Sequence, residues 1–201
     1  MHHYLKPSWK NGLMLILAVA CLAVIHGCLF SPDDKPPGDC PNPPCDEPVD
    51  PSRKTARELL TVFFKQAYTS RDSILYSEML DEEYSFHFLQ ADADSLRAIL
   101  GADNFWGRTL ELESAGGLFS AQEVTGITLN ILVNNEIASN DEQCLECKQL
   151  ETTVTLRVAT IGDGTEELVY TVDSPQTFYA RKDPADTTLW VLWKQIDRPS
   201  S

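Results

Sequence analysis

Residues 53–72 read RKTARELLTVFFKQAYTSRD. Ala56, Leu59, Leu60, Phe63, Phe64, Ala67 and Tyr68 recur along it at helical spacing, so one face of a helix is apolar over its whole length. A stripe that wide has to be buried against a second layer. Ser52 stands where the N-cap of this helix is expected. Asp72 can cap a second, shorter helix, SILYSEML.

Downstream, Tyr84, Phe86 and Phe88 alternate with Ser85 and His87, which predicts a strand. DADSLRAIL and NFWGRTLELESAGGLF read as further helices, the second ending near Gly116-Gly117. Asp103 and Glu113 flank Trp106 on that helix, and Glu113, seven residues from the Trp, shares its face. After Gln122 the period becomes two. Ile127, Leu129, Ile131 and Val133 alternate with polar residues, and so do Val154, Leu156 and Val158. Gly162-Asp163-Gly164 is a turn leading to LVYTV and QTFYARK, and Asp183-Pro184-Ala185-Asp186 turns the chain into TTLWVLWKQID. Four strands with short turns and one polar face predict an antiparallel sheet covered on one side by helices. The expected fold is α+β, one domain over residues 53–198, long enough to bury a substantial core.

Upstream, Lys6 and Lys10 precede Leu13 to Ile25, a segment without a charge. A basic start and a short apolar run read as a secretory signal, too short for a membrane span, which needs about 20 apolar residues. Ser31 to Ser52, SPDDKPPGDCPNPPCDEPVDPS, carries eight of the twelve prolines. It reads as an extended, acidic tether without a packed core of its own. The expected organisation is a signal over 1–27, a tether over 28–52 and the folded domain.

Besides Cys28, the chain after the signal holds Cys40 and Cys45 in the tether and Cys144 and Cys147 in CLEC. Outside the cytoplasm thiols oxidise, so structural disulfides are expected, with connectivity open. Local pairs would close one loop in the tether and one at a hairpin tip; crossed pairs would staple the two regions together. A tetrahedral metal site and redox chemistry are the alternatives. The first needs four thiolates to converge, and the acids around CLEC oppose the low thiol pKa that the second requires. No metal or cofactor is expected.

The chain has 16 basic and 30 acidic residues. Without the two leader lysines the balance is 14 − 30 = −16. Nucleic-acid binding rests on Lys and Arg clusters, and this composition argues against it.

Two resemblances sharpen these expectations. Ile25-His26-Gly27-Cys28 resembles the lipobox of bacterial lipoproteins, which implies acylation at Cys28, an anchor in the cell envelope and, from Leu29 after the cysteine, the outer membrane. Ala18-Val19-Ala20-Cys21 and an uncleaved anchor are the competing readings. AxxLLxxFFxxAYxxRD, YSFHF, the Trp106 region and the closing LWVLWKQID resemble the nuclear transport factor 2-like, or SnoaL-like, superfamily. That resemblance implies a cone, in which N-terminal helices pack on a curved, mainly antiparallel sheet around an apolar pocket. The pocket candidates are Tyr68, Tyr84, Phe86, Trp106, Glu113 and Trp193. No catalytic residue is assigned: His87, the one histidine of the domain, alternates away from the strand's aromatic face. The expected role is binding of a small apolar ligand or an envelope protein. A lyase or isomerase acting on an apolar carbonyl compound, and a structural component dimerising through its sheet, are the rivals.

Overall fold

The computed structural model describes residues 53–100, 103–162 and 166–199; the leader, Cys28, Cys40, Cys45 and the tether lie outside them. Helix α1 covers residues 56–70, with Leu59–Phe64 wound as a wider π-helix between two α-helical ends. Its cap is Thr55 rather than Ser52. The Thr55 hydroxyl accepts from the Glu58 N–H at 3.1 Å, and the Glu58 carboxylate accepts from the Thr55 N–H at 3.1 Å. Glu58, three residues beyond Thr55, closes this reciprocal box. The expected stripe from Ala56 to Ala67 is buried throughout, and Tyr68 packs at its margin.

Arg71 ends α1 in the left-handed region, at φ 56°. A non-glycine residue there costs about 1 kcal/mol or more, and the guanidinium shows what offsets it. Its nitrogens donate to the carbonyls of Phe119 (2.6 Å), Ala121 (2.8 Å) and Val124 (2.8 Å). Asp72 then caps α2 (Ser73–Glu78) through the N–H groups of Ile74 and Leu75, both at 2.9 Å.

Strand β1 (Leu80–His87) follows, then short helices α3 (Gln90–Ser95) and α4 (Arg97–Leu100). Phe105–Gly107 is a sixth strand, β2, where a helix was expected; Phe86 pairs with Trp106 across the β1–β2 ladder. Helix α5 therefore begins only at Arg108, and it continues past Gly116-Gly117 to Ser120, because Phe119 is still buried in the core. Strands β3 (Val124–Ala138), β4 (Lys148–Ile161), β5 (Glu167–Lys182) and β6 (Trp190–Asp197) complete the chain.

The sheet order is β2-β1-β6-β5-β4-β3. Only β1 and β6 run parallel among the paired strands, and bulges bend β1, β3 and the β5–β6 ladder. The result is the expected α+β cone, with the N-terminal helices on a curved, mainly antiparallel sheet. The inner face supplies Leu129, Leu150, Val154, Phe178 and Leu192 to the main core. The outer face of β3–β5 is solvent-exposed and mixed: Thr128, Asn130, Thr153, Arg157 and Asp173 share it with exposed Leu132, Ile137, Ile161 and Val169. Pro175 fits inside β5 because β6 pairs only with Gln176 to Lys182, so the proline lies just where that side becomes an edge.

Cys144 and Cys147 form a disulfide at the tip of the β3–β4 hairpin, the local pairing among those open from sequence. Both are buried against Tyr179 and Trp193 on the outer face, and Lys194 Nζ holds the same tip through Asp141 at 2.5 Å. Among the described residues no helix is long and apolar enough to cross a membrane. No group of three or more His, Cys, Asp or Glu residues is placed there to hold a metal.

Candidate functional site

The polar groups on the inner side of the cone converge from α2, α5, β1, β2 and β6. Arg108 fixes the start of α5 by donating to Ser77 O at 3.0 Å and Leu80 O at 3.3 Å. One turn on, Glu111 is 7% exposed. The Tyr76 hydroxyl donates to Glu111 Oε1, and Trp106 Nε1 donates to Oε2 at 2.8 Å. Burial pushes the Glu111 carboxyl above its ordinary range, and the two hydrogen bonds hold it back in part. Burial, followed by the Glu111 charge, also raises the hydroxyls of Tyr68, Tyr76 and Tyr84, so these tyrosines stay neutral.

A second network starts at Tyr84. Its hydroxyl donates to Gln195 Oε1 at 2.9 Å, Gln195 Nε2 donates to Gln176 Oε1 at 2.9 Å, and Gln176 Nε2 donates to Asp197 Oδ1 at 2.9 Å. Asp197 is half-buried at the end of this chain. Burial pushes its carboxyl up to about 6; the Gln176 hydrogen bond lowers it, and Asp92 and Glu111 raise it further. Asp92, on α3, is itself raised by burial. Helices α3 and α4 carry Ala93, Leu96 and Leu100 onto Phe88, with Phe86 and Trp106 at the margin. Through α3 the Asp92 charge also bears on Asp197 at the end of β6.

The structure divides the sequence candidates. Tyr84 is buried inside, Phe86 and Trp106 are half-buried beside it, and Tyr68 packs edge-on to Tyr76 at 5.3 Å. Glu113 is exposed and takes no part. The carboxylate facing Trp106 is Glu111, because Trp106 lies on β2 and the helical count starts at Arg108, not upstream of the Trp. Trp193 belongs to the other side of the sheet: the bulge between Leu192 and Lys194 turns it outward, onto the disulfide tip and Tyr179, with ring centroids 6.4 Å apart. His87 is also on that outer side. It stacks on Phe105 at 5.2 Å and shares a 3.1 Å hydrogen bond with Ser85 Oγ, and burial followed by the Lys194 charge lowers its pKa.

Glu111, Tyr76, Gln176, Gln195 and Asp197 were not among the sequence candidates. For Glu111 the signal is present: with Ala115 and Phe119 it forms the buried stripe of α5. For the β6 pair it is weaker, polar residues alternating two apart after an apolar run.

No protein-family model and no curated protein matches this chain. Solved structures are similar in fold. A conserved protein from Planctomyces limnophilus DSM 3776 aligns over 69% of this chain and 90% of its own, at 10% identity and a TM-score of 0.48. A nuclear transport factor 2-like superfamily protein from Salmonella enterica covers 69% and 84%, at 12% identity and a TM-score of 0.44. A ketosteroid isomerase-like protein from Erwinia carotovora atroseptica covers 69% and 90%, at 9% identity and a TM-score of 0.43.

Proposed function

We propose that this is a lipid-anchored envelope protein whose cone binds a small, mostly apolar ligand at the end where Asp197 lies. The anchor rests on the leader and the cysteine of IHGC. Acyl chains contribute about 0.8 kcal/mol per buried methylene, and the proline-rich tether lifts the domain off the bilayer. The outer membrane is the proposed location, from Leu29. The ligand reading is carried by one observation: a directed chain of three hydrogen bonds ends on a half-buried carboxylate that has no cation partner among the described residues. Such a group is costly to keep unless it is used.

Catalysis is the second reading, favoured by the Asp197 carboxyl, which burial pushes up to about 6, toward the range where a proton-transfer group works best. Binding takes precedence because three inner donors that could meet a developing oxyanion are engaged: Tyr76 and Trp106 by Glu111, and Tyr84 by Gln195. A carbonyl substrate would find no free donor among them.

Palmitate labelling with Cys28→Ser as control tests the anchor, and label that survives the substitution defeats it. For the ligand, native mass spectrometry of the protein purified from its host is expected to show a bound small molecule that Asp197→Asn loses. A ligand retained by that variant would refute the placement.

A further inference from the structure

We propose that Gln195 and Gln176 are positioning residues that hold Asp197 as a hydrogen-bond acceptor, so that the group a ligand presents there is a donor, a protonated amine. This deepens the ligand-binding reading and rests on it.

A carboxamide has a donor end and an acceptor end, and each glutamine could in principle be turned either way. The carboxylate removes that choice, because an ionised Asp offers acceptors only. Gln176 must therefore give Asp197 its N–H, which leaves its oxygen for Gln195 Nε2, and Gln195 in turn presents its oxygen to the Tyr84 hydroxyl. Reversing the chain would set Gln176 Oε1 against Asp197 Oδ1, two acceptors in contact. The chain thus occupies Oδ1 and fixes the plane of the carboxylate.

Asp197 Oδ2 has no donor among the described residues. Arg198, the next residue, turns to the opposite face, where its Nε donates to Thr177 Oγ1 at 3.0 Å. The charged groups that bear on Asp197 from the packed elements are Asp92 on α3 and Glu111 on α5, both carboxyls. An anionic ligand would meet like charge from Asp197, Asp92 and Glu111. An ammonium satisfies Oδ2.

The test uses the full chain in lipid nanodiscs, with empty nanodiscs as the blank. Cyclohexylmethylamine, cyclohexylmethanol and cyclohexanecarboxylate, three probes on one skeleton, are titrated calorimetrically at pH 7. The amine is expected to bind at least tenfold more tightly than the carboxylate, and Asp197→Asn to abolish that preference. In the wild type the amine is expected to tighten about tenfold from pH 5 to pH 7, as Asp197 ionises. In Gln176→Leu, loss of the donor raises the Asp197 midpoint measured by NMR and moves the same pH profile upward, a response that a merely structural role would not produce. Three results would overturn the assignment and leave the ligand reading standing: carboxylate binding as tight as amine binding, a preference that survives Asp197→Asn, or an Asp197 midpoint unmoved by Gln176→Leu. Failure of all three probes to bind would overturn both.

Discussion

Replacing Asp197 by Asn is expected to make the folded protein more stable at neutral pH. Asn keeps an oxygen for Gln176 Nε2 and removes only the charge. The carboxyl is held at about 6 against an ordinary value of 3.8; at about 1.36 kcal/mol per pH unit this corresponds to about 3 kcal/mol, a ceiling for a half-buried group. The sign follows from the raised value. A carboxyl that binds its proton more tightly when folded contributes stability in full below the ordinary Asp range, and that contribution is lost as pH rises through about 6. Wild type and Asp197→Asn should therefore unfold together in urea at pH 3.5, and the variant should be the more stable above pH 7, with the gap opening between pH 4 and pH 6. A gap that is absent, reversed or independent of pH would refute the claim that an unneutralised carboxylate is stored at this end of the cone.

Further outcomes follow from the same contacts. Glu111→Leu leaves the Tyr76 hydroxyl and the Trp106 N–H without their acceptor and should cost about 2–4 kcal/mol in urea unfolding. Glu111→Gln, which can accept from Trp106 and donate to Tyr76, should cost under about 1 kcal/mol. Arg71→Ala removes three bonds to backbone carbonyls and should lower stability by about 3 kcal/mol, whereas Arg71→Lys should recover only part of it. Reducing the Cys144–Cys147 disulfide should cost about 2 kcal/mol by loop entropy and, by freeing the tip, change the fluorescence of Trp193; Cys144→Ser should reproduce the change without reductant.

The fold was largely legible in the sequence because its two periodicities are strong: the α1 stripe and the alternation over Ile127 to Val133 and Val154 to Val158 both survive. What failed was local. Phe105–Gly107 is too short to show a period, so the strand was absorbed into the following helix, and that displaced the face count and put Glu113 in place of Glu111. Trp193 went to the wrong side because a bulge in the β5–β6 ladder breaks strict alternation, an insertion that no residue spacing announces. Asp197 was hidden for another reason: its environment is made by burial, then by Gln176, Asp92 and Glu111, far apart in the chain and brought together only by folding. Tyr84 and Trp106 were recognised as aromatics, but their polar ends decide what they do.

The most direct test follows the side-chain N–H signals of Trp106, Gln176 and Gln195 by NMR while a small-molecule library is added to the protein at pH 7. If the inner end of the cone is the binding site, hits shift these three signals together and Asp197→Asn abolishes the shifts. Hits that move only the Trp193 indole or the disulfide tip would place the site on the other face and contradict the account.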